Sequence, residues 1–586
     1  MSPVNLSATP AHRPSALQAL HPPFAPWLTM LGRWLALLAV IAIMAIIAKR
    51  LFTGMTMTGM MGVDTFQYWK FVDDILHDKR DFVFNRLSFY ALNMLAFKIL
   101  GSNDYAIRAF VAGFNVLNIG LLYLLAFRLS RSAAVALIAA ALYAFNSVVL
   151  TYASTELPHI LGGTFALICC LATLIVVDWS QSRGRRLAAV FIIGVALSGA
   201  IYTHEDLVFF AAGYGLVIAI LFFLRDKSAH DAKVRTIDVA LMIAMLVVGG
   251  VAGAVWPMPV TGIGPSKIVN DFITLRTAID QNTLTRTAGE FFRVVPPRAM
   301  KNFFVDTLGW PLTALAGTVA LAVPVAVFRS KDIRYRHLLA IEIPVLTYVV
   351  GFLGIGRIFL EFGYQRLFVP LMGPVIAFIV CGVYLLCRDL PFRRTGLAVL
   401  FAALLFPAWP ELQKSFVAPY ISPHRILYDS TKNLVTSDRK LLMPACYGIY
   451  APWMGIGSQV YLGDNVVATY LMENFKSFDE VVAEQRIGYV LVPLVRIRNL
   501  WGHIWPLGQI ETLFRVTYTT PLTDDQIKSL APLSQDVWRG DTRVEWSREI
   551  CAFEADVVRR LLEQRQAKLV GNAPGVGDIY ALKPAP

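Results

Sequence analysis

The chain has 586 residues, 56% of them hydrophobic and only 16% charged, with a formal net charge of +13. Soluble domains run to about 25% charged residues, so the composition excludes an ordinary soluble enzyme. Basic excess is also the electrostatic footprint of nucleic-acid binding. Here residues 411–586 balance their acids and bases, so the whole excess sits in the apolar part of the chain, where it argues against nucleic acid as a partner.

Residues 1–27 are Pro-rich and precede the first apolar run, which no A-x-A-like cleavage site follows; this run is an anchor rather than a removed signal peptide. Eleven segments approach the length of about 20 apolar residues that a crossing helix needs: 30–52, 108–127, 133–153, 157–178, 187–203, 207–224, 237–256, 308–328, 337–355, 366–387 and 395–410. Between the first two lie shorter amphipathic stretches. Residues 65–76 place Phe66, Trp69, Val72 and Ile75 at threes, and residues 87–100 include Asn93 and Lys98. Both patterns suit helices lying at the membrane interface. If 87–100 crossed instead, Asp64 would lie on the opposite side from Glu156 and Asp206.

Lys and Arg collect in the short loops on the cytoplasmic side of a membrane. Loops 128–132, 179–186, 225–236, 329–337 and 388–394 are basic, and the turns between them are nearly free of Lys and Arg. The expectation is a cytoplasmic N-terminal tail (1–27), a transmembrane domain (28–410) and an extracytoplasmic domain (411–586). Strand-like runs at 440–444, 459–463 and 488–493, helices at 478–486 and 553–568, and a hairpin over 568–583 around Pro574-Gly575 make the last of these a small α/β domain. The expected architecture is thus a polytopic α-helical membrane protein of about eleven spans, with amphipathic helices in the first outer loop and a C-terminal α/β domain.

The six cysteines lack CxxC spacing, which excludes a zinc ribbon. Cys169, Cys170, Cys381 and Cys387 fall in spans, whereas Cys446 and Cys551 fall in the outer domain, where an oxidising compartment permits a disulfide. Gly162 and Gly163 read as helix-packing positions.

Ionisable residues at membrane depth are costly and mark function. On the expected outer face Asp64, Asp73, Asp74, Glu156, His204, Glu205, Asp206 and Glu361 gather, with Arg357 and Arg366. The stretches GVDTFQYW (62–69), NRLSFYALNMLAFKILGSNDYAIR (85–108), STELPH (154–159), YTHEDL (202–207) and YQRLFVPLMGP (364–374) resemble the membrane-embedded GT-C glycosyltransferases. The nearest branch is that of the bacterial aminoarabinose, galacturonic acid and arabinose transferases and the protein O-mannosyltransferases. The resemblance spans about residues 25–410. It implies a bacterial inner-membrane enzyme that moves a sugar from a polyprenyl phosphate to an extracytoplasmic acceptor such as a lipid-linked glycan or lipopolysaccharide, with inversion and without a nucleotide cofactor.

By that resemblance Asp64 is the base on the acceptor hydroxyl; Thr65 stands where many members carry a second acid, and Tyr68 keeps the later aromatic. Glu156 matches a second-loop acid that orients the acceptor or a metal. Arg366 matches the Arg that holds the lipid phosphate, a task its planar fork suits, with Arg357 as a second candidate. His204, Glu205 and Asp206 could hold Mg or Mn, hard ions that take carboxylate oxygens, although adjacent residues on a helix cannot all face one ion. The plainer readings stay open: helix caps for Asp64 and the His204 turn, a dipole-stabilised acid for Glu156, snorkelling for Arg366. Two other functions stay open too, a transporter or flippase for a lipid-linked sugar, and a polymerase or ligase using a lipid-diphosphate donor.

Overall fold

A computed structural model describes residues 26–58, 63–77, 86–101, 104–153, 158–178, 180–223, 232–267, 304–330, 332–354, 365–388, 390, 393–406, 409–414, 423–443, 466–468, 482–493, 562–563, 565–574 and 577–583. Its membrane part is a bundle of helices: α1 (Pro26–Thr58), α2 (Val63–Leu76), α3 (Leu87–Leu100), α4 (Asp104–Ser130), α5 (Ala133–Ala144), α6 (Ser147–Ala153), α7 (His159–Val177), α8 (Arg183–Ile201), α9 (Val208–Phe223), α10 (Ala232–Val255), α11 (Pro257–Thr261), α12 (Trp310–Arg329), α13 (Ile333–Gly354), α14 (Gln365–Phe368), α15 (Met372–Cys387) and α16 (Arg393–Leu405). Among the described residues seven helices are long and apolar enough to cross a membrane, beginning at Met30, Tyr105, His159, Arg183, Ile237, Trp310 and Val369. The protein is therefore a multi-pass membrane protein. The other expected spans are helical as well: Ala133–Ala144, Val208–Ile220 and Thr395–Leu405 as shorter apolar helices, together with Ile333–Gly354.

The segment 133–153, expected as one span, is two helices. Asn146 divides them: its Oδ1 accepts from the Val149 amide at 3.0 Å, capping α6, and its Nδ2 donates to the Thr307 carbonyl at 3.1 Å. An Asn side chain that satisfies the orphan amides of a new helix start makes such a break affordable inside an apolar run. The helix α3 is buried over Leu87–Ala91, Asn93, Met94, Ala96 and Phe97, and leaves Leu95, Ile99 and Leu100 exposed. It is too short to cross, and it is packed into the bundle more deeply than an interface helix needs to be.

Close helix approach rests on glycine. A Cβ on Gly194 of α8 would come within 2.4 Å of the Leu246 carbonyl oxygen of α10, and one on Gly249 within 2.2 Å of the Phe191 carbonyl oxygen. Without a hydrophobic force between helices in lipid, such close packing contributes to their association.

One end of the bundle ties its arginines to aspartates. Asp332 pairs with Arg334 at 2.6 Å and with Arg388, and Arg334 also reaches the Ser130 carbonyl, so three loops close on one carboxylate. The hydrogen bond from Arg334 holds Asp332 well below the usual carboxylate range. Asp238 likewise takes Arg183 at 2.9 Å and Arg186 at 3.3 Å, joining α8 to α10. Ser132 and Ser182 cap α5 and α8 at this end.

After α16 comes a five-stranded sheet of order β2-β1-β3-β5-β4, built from β1 (Lys440–Met443), β2 (Val466–Ala468), β3 (Ile487–Pro493), β4 (Lys568–Ala573) and β5 (Gly577–Ala581). The first three strands are parallel, and β5 runs antiparallel between β3 and β4. Leu427, Leu441, Tyr489, Leu491 and Ile579 form its core. The β4–β5 hairpin is where the sequence puts it; the run 459–463 lies outside the described residues, and a strand follows it at Val466–Ala468.

Candidate active site at the His204 end of the bundle

The opposite end is built from turns. The Ser88 amide of α3 donates to the Tyr202 carbonyl at 3.2 Å, which fixes the start of α3 against the end of α8. Helix α2 lies on α3 through rings: Tyr68 meets Phe89 edge-on at 5.6 Å, Phe71 meets Tyr90 at 6.2 Å, and the Arg86 guanidinium stands 4.9 Å over the Tyr68 ring. Asp64 is the second residue of α2, one turn before Tyr68.

Past α8, the Thr203 hydroxyl and the His204 amide return to the Gly199 and Ala200 carbonyls, and Glu205–Leu207 forms one 3₁₀ turn. His204 Nδ1 is 3.4 Å from both the Asp206 amide nitrogen and an Asp206 carboxylate oxygen. It can serve these one at a time, accepting from the amide when unprotonated and donating to the carboxylate when protonated. The His159 ring, at the first residue of α7, lies 4.9 Å from the His204 ring, and Tyr152 meets His159 edge-on at 6.3 Å. Tyr152, His159, His204 and Asp206 are all buried. Three rings in a row thus end on a carboxylate.

Leu207 and Pro370 both land on the first turn of α7. A Cβ on Gly162 would meet Leu207 at 3.0 Å and Pro370 at 3.4 Å, which gives the packing role expected of this glycine. Pro370 belongs to the 3₁₀ turn Val369–Leu371 that follows α14, and α14 carries Arg366. Tyr348 of α13 anchors α14 by donating to the Leu367 carbonyl at 2.8 Å. The helix bearing Asp64, the His204–Asp206 turn, the start of α7 and the helix bearing Arg366 therefore share one end of the bundle.

Glu156, Arg357, Cys446 and Cys551 lie outside the described residues. Of Asp64, Glu205 and Arg366 the backbone position is described and the side chain is not. Among the described residues no three His, Cys, Asp or Glu side chains converge so as to hold a metal ion. His204 and Asp206 contact each other.

Several polar residues here were not singled out from sequence. His159 ends the STELPH motif. Asn118 of α4 donates to the Ile160 carbonyl at 3.0 Å and to the Tyr143 hydroxyl at 3.3 Å, and accepts from the Thr164 hydroxyl at 2.7 Å. Arg108 is 2% exposed on the first turns of the same helix. The available signal was Arg108, Asn115 and Asn118 recurring on one face of an otherwise apolar run.

Residues 81–252 match the sequence family described as dolichyl-phosphate-mannose-protein mannosyltransferase. No curated protein sequence matches the chain. Among solved structures, ArnT from Cupriavidus metallidurans in the apo state is similar at 15% identity, over 85% of this chain and 94% of that one, with a TM-score of 0.48. The Archaeoglobus fulgidus oligosaccharyltransferase AglB, in complex with an inhibitory peptide and a dolichol-phosphate, is similar at 13% identity over 78% of this chain and 69% of that one (TM-score 0.47). The protein O-mannosyltransferase Pmt1-Pmt2 complex of S. cerevisiae is similar at 15% identity over 38% of this chain and 33% of that one (TM-score 0.34). Residues 81–252 thus carry a domain of the mannosyltransferase family, and the chain is a membrane glycosyltransferase.

Proposed function

We propose that this enzyme transfers a sugar from a polyprenyl phosphate to an acceptor hydroxyl at the His204 end of the bundle, and that this end faces away from the cytoplasm. The observation that carries the reading is the meeting there of α2, the His204–Asp206 turn, the start of α7 and α14. The description of the family matched by residues 81–252, which names dolichyl-phosphate-mannose, supports a lipid-phosphate sugar as donor. The paired arginines of the other end support its placement in the cytoplasm. That orientation leaves the tail 1–27 inside and the 411–586 domain outside, in a bacterial inner membrane, with a lipid-linked glycan or lipopolysaccharide as acceptor.

In the proposed reaction the acceptor oxygen attacks the anomeric carbon as the bond from that carbon to the phosphate oxygen breaks, which inverts configuration. The acceptor proton passes to the Asp64 carboxylate, and the bonding pair leaves with the polyprenyl phosphate, whose charge Arg366, with Arg357, receives. Glu156 and the His204–Asp206 turn orient the acceptor. A positioned base contributes about 10²–10⁴-fold, so Asp64→Asn is expected to lower transfer from a synthetic undecaprenyl-phosphate sugar at least about 100-fold while the protein still folds. Near-normal turnover by that variant would remove Asp64 from the role.

One observation favours the transporter reading. Glu342 is buried inside α13, and its Oε2 has no hydrogen-bond partner. If a lipid-linked sugar crossed along this helix, Glu342→Gln would stop its translocation in vesicles and Asp64→Asn would not.

A further inference from the structure

The helix α4 brings two asparagines into the bundle, and only one of them is used by the fold. Asn118 is fully buried and makes the three hydrogen bonds described above, to Tyr143, Ile160 and Thr164. Asn115 is equally buried, 0% exposed, yet neither its Oδ1 nor its Nδ2 has a hydrogen-bond partner. A buried carboxamide with both ends unmatched is destabilising, and more so where no water competes. Leu or Ala at this position would be better for folding alone.

Its level in the bundle follows from its neighbour. Asn118 donates to the carbonyl of Ile160, the second residue of α7. Asn115 lies three residues nearer the Asp104 end of α4, which is about 4.5 Å at 1.5 Å per residue, and about 60° around the helix from Asn118. That puts it level with the start of α7, where His159 meets His204 and where α7 begins without a side-chain cap. The unmatched amide, at the twelfth of the 27 residues of α4, thus lies at the level of the His159–His204 contact.

The chemistry of the amide selects among ligands. A phosphate offers acceptors only and would leave Oδ1 unmatched, whereas a sugar hydroxyl both donates and accepts and can satisfy Oδ1 and Nδ2 together. We propose that Asn115 is a sugar-recognising residue, whose carboxamide exchanges hydrogen bonds with hydroxyls of the donor's glycosyl group; this rests on the function proposed above. A site built to hydrogen-bond a hydroxyl discriminates strongly against ligands that lack it, because its own polar groups are then left unpaired.

The test compares Asn115→Leu and Asn115→Gln with Asn118→Leu in the full-length purified protein. Each is measured for binding of undecaprenyl phosphate alone, for binding of undecaprenyl-phosphate glycosides carrying a hexose, a pentose or a uronic acid, and for Tm. Asn115→Leu is expected to bind bare undecaprenyl phosphate as the wild type does, and to bind the preferred glycoside about 10- to 100-fold more weakly. Its Tm is expected to stay level or rise, while Asn118→Leu, which breaks the Tyr143–Ile160–Thr164 network, lowers Tm. Asn115→Gln, which keeps the amide but shifts it by one methylene, is expected to change the order of preference among the three glycosides. Unchanged glycoside binding in Asn115→Leu overturns the assignment, as does a fall in Tm matching that of Asn118→Leu. If the wild type binds neither the bare lipid nor any glycoside, the functional reading and this assignment fall together. If the wild type binds and the variant is unchanged, this assignment alone falls.

Discussion

The two ends of the helix bundle handle polar residues in opposite ways. At the arginine end, charge closes on charge: Asp332 gathers Arg334 and Arg388, Asp238 gathers Arg183 and Arg186, and serine caps start the helices. At the His204 end the helices meet through turns, rings and glycine contacts, and the polar groups are imidazoles, a carboxylate and amides buried between them. The first arrangement ties loops and helices together through ion pairs. The second gathers donors and acceptors of several kinds within a few turns of helix, which is what a reaction on a sugar hydroxyl requires. Under the proposed function, the first is the structural end and the second the chemical one.

Substitutions can break or sharpen that contrast. After Asp64→Asn, the largest effect is expected from Arg366→Ala. Losing a charge-assisted phosphate contact costs roughly 2–3 kcal/mol, so kcat/KM for the lipid donor should fall about 30- to 150-fold, and Lys should restore only part of it. A change confined to thermal stability would return Arg366 to interfacial anchoring. Next, Asp206→Asn should leave His204 without its carboxylate and reduce transfer about tenfold, measured against folded protein by size-exclusion recovery.

At the arginine end the expectation reverses. Asp332→Asn should cost stability, about 1–2 kcal/mol after allowing for solvent screening, and leave transfer per folded molecule near normal. Its pH dependence follows from sign. Arg334 depresses the folded Asp332 pKa below its unfolded value of about 4, so the ion pair's stabilisation is fully present above that pH and is lost as pH falls further. The difference in Tm between wild type and Asp332→Asn should therefore be full at pH 6 and shrink on acidification below about pH 4. The smallest effect is expected from Ser182→Ala, which removes the cap of α8 and should lower stability by about 0.5–1 kcal/mol without touching transfer.

Much of the bundle was legible because apolar length and basic loops are signals summed over many residues: 108–127, 157–178, 187–203 and 366–387 each overlap a long apolar helix. Single residues were harder. The break at Asn146 hides inside a window average, since one polar residue barely lowers the hydropathy of 133–153, yet its side chain caps α6. The acid Glu342 passed unnoticed for the same reason, within a span read only for its apolar length. At the site, motif spacing pointed to the His204 turn and to α14, because turns between helices show where the ends are. The pairing of His159 with His204, and the matched and unmatched asparagines of α4, depend on how helices distant in sequence rotate against each other, and no local pattern reports that rotation.

In the proposed function the lipid phosphate is held at the His204 end. A structure of the full-length protein with undecaprenyl phosphate bound tests it most directly. The reading predicts phosphate oxygens about 3 Å from the Arg366 guanidinium, beside the start of α7 and the first turn of α2. A phosphate seated instead among Arg183, Arg186, Arg334 and Arg388, or along α13 beside Glu342, would contradict it.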